Sequence, residues 1–402
     1  MKTERLSLKI LALLLFLLTL FSLASCGQDT PVSTVPQTAE VTTAAKTTGA
    51  PNYTVRLNAP ASTEIHTELQ ANYLADRDVF SVLSYADKKG TEELGHPVPI
   101  TLTWDIETTL SESNVRAFFL RIWRESAPEK AVVQATLSKS TKKYDLSNAM
   151  IGETYCWTVS ALDGDGNLYE SAAARFTTAA QAPRNLQVDS ITNVRDVGGW
   201  PTEDGGRVRQ GLLYRGSKLA ANKTASILIS EEGVKTMRDE LGIKTEIDLR
   251  LKEKLGGLSA SPLGETVAFY SRPMDDDYNT MLTDDAARKN IRDVFSLLAD
   301  ESNYPIYIHC SIGTDRTGLI SWLINGLCGV SEENLWRDFL FSNFGVINGT
   351  RKDGFSKVVS PMKKATGATY TAQIYNYLKD TVGIPEADLN AVIRIMKGPA
   401  AN

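Results

Sequence analysis

The sequence predicts two folded parts of different class, an all-β part over residues 53–180 followed by an α/β part over 181–402. Two observations carry the division. Between residues 99 and 178 apolar and polar residues alternate with a period of two and are broken by turn residues at short intervals, the pattern of half-buried antiparallel strands. Beyond Gln181, short strand-like runs such as Thr245 to Leu249 and Ile306 to His309 alternate with helical ones such as Asp284 to Ala299 and Thr317 to Leu327, as in an α/β domain. The length of 402 residues is itself roughly two to three domains' worth of chain. With 42% hydrophobic and 23% charged residues and a formal net charge of −5, the composition is that of folded, soluble domains. An acidic balance without a Lys/Arg-rich block speaks against a nucleic-acid partner gripped through its phosphates.

The N-terminus predicts an address. Lys2, Arg5 and Lys9 precede the apolar stretch Ile10 to Leu23, which is too short for a comfortable membrane span and suits a secretory signal peptide over residues 1–25. It ends in Leu23-Ala24-Ser25-Cys26, which resembles a bacterial lipobox. That resemblance implies lipid attachment at Cys26 (palmitate or a similar acyl chain), and a lipoprotein held on the extracytoplasmic face of a bacterial membrane. Residues 27–52 hold seven Thr and three Pro and no aromatic residue. Such a segment buries too little apolar area to offset the entropy of ordering, and residues 26–52 are expected to be a disordered tether.

In the all-β part, Ile100/Leu102/Trp104, Phe118/Leu120/Ile122, Val132 to Thr136, Tyr155/Trp157/Val159/Ala161 and Ala174 to Thr177 read as strands. The stretch Pro99 to Thr178 resembles a fibronectin type III or similar immunoglobulin-like β-sandwich, with a core over about residues 97–180. Trp104 would lie on an inner face, and Gly152-Glu153-Thr154-Tyr155 looks like the start of the strand that carries the tyrosine corner. Tyr53 to His96 is less regular and is expected to add a strand or a helix over one edge. Asp163-Gly164-Asp165-Gly166-Asn167 begins like a calcium loop, but Leu168 and Ala174 stand where that loop needs Gly and a bidentate Glu. A hairpin turn is expected there instead. Cys156 beside Trp157 reads as a packing residue, and no catalysis is assigned to this part; a surface protein or a glycan is its conceivable ligand.

The chemistry is concentrated in the second part. The apolar run Pro305-Ile306-Tyr307-Ile308 leads into His309-Cys310-Ser311-Ile312-Gly313-Thr314-Asp315-Arg316-Thr317-Gly318. A strand, a short loop and a helix start aim the amides of Ser311, Ile312, Gly313, Thr314, Asp315 and Arg316 at one bound anion. Cys310 at the bottom of that cradle should have a lowered pKa and act as a thiolate nucleophile. Arg316 presents a planar fork that can hold two phosphoryl oxygens, and Thr317 places a hydroxyl near the sulfur. The three histidines, His66, His96 and His309, have no spacing suited to a multi-His site, so no metal and no other cofactor is expected. Cys328, in an apolar helix, reads as core.

This Cys-x5-Arg loop resembles that of the cysteine-dependent tyrosine phosphatases. Asn193-Val194-Arg195-Asp196-Val197-Gly198-Gly199, Leu213-Tyr214-Arg215-Gly216-Ser217, Lys244-Thr245-Glu246-Ile247-Asp248-Leu249-Arg250, Gly329-Val330-Ser331 and Asp338 to Asn343 are similar to successive blocks of the bacterial tyrosine-protein phosphatase family that includes secreted and lipoprotein, dual-specificity members. The resemblance implies hydrolysis of a phosphorylated protein or small phosphomonoester through a cysteinyl-phosphate. It also implies a general acid on an upstream loop, for which Pro273-x-x-Asp maps onto Asp276. Asp275 and Asp277 flank it, the three carboxylates are expected to raise one another's pKa, and Asp315 is an alternative acid. Where family members commonly carry Lys, this chain has Thr314, which favours phosphotyrosine over phosphoinositides or inositol phosphates. Arg215 and Arg250 read as structural, and the Gly198-Gly199 pair as a tight turn. A protein that binds phosphorylated ligands without turnover is the non-enzymatic alternative.

Overall fold

In the computed structural model, which describes residues 52–398 apart from 112 and 348, the chain divides into two compact units. The expected signal peptide, Cys26 and the tether as far as residue 51 lie outside the described residues.

The first unit takes residues 52–63, then 100–146 and 152–179. Strands β1 (Tyr53–Asn58), β2 (Ile100–Thr108) and β5 (Lys143–Leu146) form one antiparallel sheet in the order β1-β2-β5. A second antiparallel sheet has the order β4-β3-β6-β7, made of β4 (Ala127–Ser138), β3 (Ala117–Arg124), β6 (Thr154–Leu162) and β7 (Leu168–Glu170), with β8 (Ala174–Thr177) also paired to β6. The period-two residues are the buried ones: Ile100, Leu102 and Trp104 on β2, and Phe118, Leu120 and Ile122 on β3. Trp104 meets Phe118 edge to face at 5.8 Å. Strand β6 departs from simple alternation, because Cys156, Thr158 and Ser160 are buried as well as Tyr155, Trp157, Val159 and Ala161. Asp163 closes the β6–β7 turn, its Oδ1 accepting from the Asp165 and Asn167 amides at 2.9 Å each. A carboxylate satisfied by its own turn is the hairpin device expected there.

The second unit consists of residues 64–99, 147–151 and 180 onward. The expected boundary at 180/181 is therefore not where the units part in space. Residues 64–99, grouped by sequence with the all-β part, fold with the α/β part, because their buried residues Ile65, Tyr73 and Leu74 and their carbonyls have partners there. Helix α1 (Glu68–Ala75) opens with a capping box between Thr67 and Gln70. The Arg337 guanidinium donates to the carbonyls of Tyr73 and Asp76 at 3.1 and 2.6 Å.

At the centre of this unit is a five-stranded sheet in the order β12-β11-β13-β10-β9. Its strands are β9 (Arg195–Asp196), β10 (Leu213–Gly216), β11 (Thr245–Asp248), β12 (Ala268–Ser271) and β13 (Ile306–His309), all parallel to their neighbours except β9. β10, β11 and β13 are buried along their whole length, as parallel strands covered on both faces must be. Helices α2 (Glu231–Lys235), α3 (Asp285–Leu298), α4 (Asp315–Leu327), α5 (Glu332–Phe341), α6 (Lys352–Val359), α7 (Tyr370–Asn376) and α8 (Glu386–Lys397) complete the unit. Asp284 caps α3 and Ser331 caps α5 through their side chains, whereas α4 has no side-chain cap at its N-terminus. The helical amides of α4 are thus left for something else. Gly198 permits a close approach that no other residue would: a Cβ there would stand 2.0 Å from the Arg209 carbonyl oxygen.

Candidate active site

Cys310 follows the last residue of β13, the middle strand, and is 1% exposed. The chain then turns through Ser311 to Thr314 into α4, which begins at Asp315, two residues before the start expected from the sequence. Asp315 and Arg316 therefore lie in the first helical turn rather than in a loop. Gly313 has φ +74°, and a Cβ at that position would be 2.4 Å from the Gly216 carbonyl oxygen, so both conformation and space require glycine. Burial opposes ionisation of the Cys310 thiol. The Arg316 guanidinium, with the Thr317 hydroxyl and amide close to the sulfur, outweighs it and holds the pKa below that of an ordinary cysteine. Arg316 and Thr317 are themselves buried.

Beneath the loop lies a polar scaffold. Arg215 donates to the Gly313 carbonyl at 2.7 Å and to Asp338 Oδ2 at 2.6 Å. Arg195 donates to Asp338 Oδ1 at 2.9 Å and to the Asn193 side-chain oxygen at 2.6 Å, and Asn193 Nδ2 donates to the Ile312 carbonyl at 2.9 Å. All four side chains are buried. Two cations thus share one carboxylate. Burial and the neighbouring Arg195 push Arg215 down to about 9, with Asp338 and Cys310 opposing the shift. Burial also works against charge on Asp338, but the two arginines hold its carboxyl below the ordinary range. A Cys310 thiolate supplies the second negative charge that this cluster lacks. Arg215 braces the loop rather than reaching a ligand, as expected.

A second group supports the other side. His309 Nε2 lies 2.9 Å from Glu246 and Nδ1 lies 3.1 Å from the Cys310 carbonyl. Both ring nitrogens thus face acceptors, and Asp248 and Glu246 raise the His309 pKa against the effect of burial. Glu246, Asp248 and His309 bring ligand atoms within 4.8 Å of one another, but protein donors already engage the carboxylates. Ser261 donates to Glu246 at 2.5 Å, and Arg250 holds Asp248 through a fork of hydrogen bonds. Arg250 also donates to the Ala220 carbonyl at 2.7 Å and is wholly committed to structure.

The acid candidates separate by their surroundings. Asp275 is engaged by the Thr280 hydroxyl at 2.8 Å and the Asp277 amide at 3.2 Å, and these bonds hold its carboxyl below the ordinary range. The expected mutual raising of the three carboxylates is overturned at Asp275, because hydrogen bonds to the charged form prevail over repulsion. Asp277 accepts from the Asn279 amide and side chain at 2.9 and 2.8 Å. Asp276 is exposed, and its Oδ2 lies 3.9 Å from the Arg316 guanidinium. The Arg316 guanidinium also approaches the Met274 carbonyl at 3.5 Å, which sets the 273–277 loop against Arg316. Asp315 receives the Tyr278 hydroxyl and pairs with Arg351 at 3.2 Å. Sequence reasoning missed the roles of Asn193, Arg195 and Asp338, although each lies within a block that carried the family resemblance.

A buried thiol of lowered pKa under an uncapped helix N-terminus, with an arginine in the first turn of that helix, is an arrangement suited to a phosphatase site on an α/β sheet. The model of the tyrosine phosphatase family matches residues 186–397, and the chain belongs to that family and is a phosphatase. It is 25% identical over 187 residues to a Cupriavidus necator protein named as a tyrosine-protein phosphatase, covering 42% of this chain and 67% of that one. Among solved structures, the core catalytic domain of the PP-IP phosphatase SIW14 from S. cerevisiae is 18% identical, covering 45% of this chain and 90% of its own, with a TM-score of 0.26. TpbA of P. aeruginosa is 19% identical, covering 41% and 88%, with a TM-score of 0.27.

Replacing Asp338 by Ala leaves Arg195 and Arg215 uncompensated in the interior. A loss of about 3–5 kcal/mol is expected, measured by urea denaturation of the full chain.

Proposed function

We propose that the chain hydrolyses phosphomonoesters, with protein phosphotyrosine as the preferred class, through a cysteinyl-phosphate on Cys310. The observation that carries this reading is the buried Cys310 thiol with its lowered pKa, beside Arg316 and under the α4 N-terminus, which has no side-chain cap. In the first step the Cys310 sulfur attacks phosphorus while the loop amides of residues 311–316 and the Arg316 fork hold the equatorial oxygens. The bond to the leaving oxygen breaks, and Asp276 gives that oxygen its proton. Water then attacks phosphorus, Asp276 takes the water's proton, and the sulfur leaves as thiolate, helped by the Thr317 hydroxyl. Asp276 suits the acid role better than its neighbours because Asp275 and Asp277 are spent on turn contacts and Asp315 on Tyr278 and Arg351.

The phosphotyrosine preference rests on Thr314. It is 1% exposed, and its hydroxyl lies 3.5 Å from the Asn193 side chain, so the loop offers no cation beyond Arg316 for a second phosphate. The first unit's two antiparallel sheets support a fibronectin III-like module, for which a surface protein or a glycan is the proposed ligand. Cys26 would tether both units to the outer face of a bacterial membrane.

Cys310→Ser is expected to reduce phosphate release below detection in the presence of chelator, and wild-type turnover in that variant would sink the reading. Asp276→Asn should lower kcat about 10²- to 10⁴-fold on phosphotyrosine peptide and far less on an ester with a good leaving group. A larger loss from Asp315→Asn would move the acid role there. Cys26→Ala should release the protein to the soluble fraction on membrane fractionation.

A further inference from the structure

Residues 64–99 lie outside the family match at 186–397, yet they are built into the catalytic unit. Several contacts seat them there. His66 Nε2 is 2.8 Å from the Pro183 carbonyl. Asn185 Nδ2 donates to the Gly95 carbonyl at 2.8 Å, and the Leu94 amide donates to the Phe344 carbonyl at 2.6 Å. Gln70 Nε2 ties the segment to itself through the Leu94 and His96 carbonyls. At its far end Glu93 reaches the scaffold under the cysteine loop. Its Oε1 accepts from the Gly95 amide at 2.7 Å and its Oε2 from the Asn193 amide at 3.4 Å, and the Val346 amide is a further donor.

Asn193 is the residue that holds the Ile312 carbonyl, and it does so from a left-handed backbone, φ 59°. Asn is among the few non-glycine residues that tolerate that conformation, and here hydrogen bonds on both its side chain and its amide hold it in place. The amide that Glu93 accepts from belongs to that same residue. We infer that residues 64–99 act as a strap whose Glu93 is a positioning residue for the phosphate-binding loop, acting through Asn193 on Ile312. The inference rests on the phosphatase reading only for its catalytic consequence; the mechanical one stands on the loop itself.

Burial pushes the Glu93 carboxyl up to about 7, against the amides of Gly95, Asn193 and Val346 and the charge of Arg195. Those amides and Arg195 are the groups that face it. A carboxyl raised in the folded state contributes stability that is complete below the unfolded value of 4.5 and is lost as pH rises through about 7. The strap should accordingly seat most firmly on the acid side of neutrality.

The test uses the full chain and reads Cys310 directly, by iodoacetamide alkylation across pH followed by mass spectrometry, alongside kcat and KM on a phosphotyrosine peptide. Loss of a nearby carboxylate would by charge alone lower the thiol pKa, whereas a loosened loop raises it. Glu93→Ala is expected to shift the alkylation midpoint upward and to lower kcat about tenfold or more with KM little changed, as misplacement of a reacting group does. Asn193→Ala should do the same, and the double variant should add nothing further. Glu93→Gln, which keeps the size of the side chain, should fold and should lose the part of the stability change that wild type shows between pH 4.5 and 7. An alkylation profile for Glu93→Ala and Glu93→Gln that superimposes on wild type, or fully additive effects with Asn193→Ala, overturns the strap. A shifted profile in a chain that releases no phosphate upholds the strap and removes the catalytic reading instead.

Discussion

Asp338 lies between two buried arginines, and the shape of the anion cradle follows from that placement. A lone guanidinium in the interior costs several kcal/mol in lost hydration, and here Arg195 and Arg215 share one carboxylate at 2.9 and 2.6 Å. Their remaining donors find oxygens along the scaffold: the Gly313 carbonyl for Arg215, and the Asn193 side chain, the Asp338 carbonyl and the Ser342 hydroxyl for Arg195. With its carbonyls of Ile312 and Gly313 pulled toward the scaffold, the loop can present its N–H groups to the other side. The conformation required for binding an oxyanion is thus set by groups that never touch the ligand.

The same cluster also faces the charge of the nucleophile. Two cations and one carboxylate leave an excess that a thiolate can answer, while Arg316 and Thr317 act on the sulfur directly. Burial makes all of these interactions stronger and also makes an unpaired member costly. On the opposite flank the doubly engaged His309 orients the Cys310 carbonyl, with Glu246 and Asp248 behind it. The strand that delivers the cysteine is therefore held from both sides.

The sequence made the nucleophile loop readable because each of its residues is demanded by chemistry: a thiol, a glycine with positive φ, an arginine fork, a hydroxyl. The central strands and α3 were legible from periodicity to within about two residues, while the start of α4 at Asp315 was obscured by an anion-binding turn that continues smoothly into the helix. Arg215 and Arg250 were legible as structural. Asn193 and Asp338 were visible as parts of recurring blocks, but their roles depend on pairings across more than a hundred residues. The placement of 64–99 was not legible at all, since it is held largely through the main-chain carbonyls of Tyr73, Asp76, Gly95 and Phe344, and a carbonyl carries no signature of residue type.

That segment precedes in the chain everything it docks against. Between Glu93 and Phe344 lie all of the first unit except its opening strand β1, and the whole catalytic sheet, about 250 residues, which at typical synthesis rates take on the order of ten to fifty seconds to emerge. Through that interval α1 has its cap but not its seat, and the face carrying Tyr73 and Leu74 waits uncovered while the intervening β strands fold. A late stretch, through α5 and Phe344, is what closes over it. A nascent chain of this topology therefore finishes seating the segment late, and during the wait it exposes the kind of apolar surface that holding chaperones recognise.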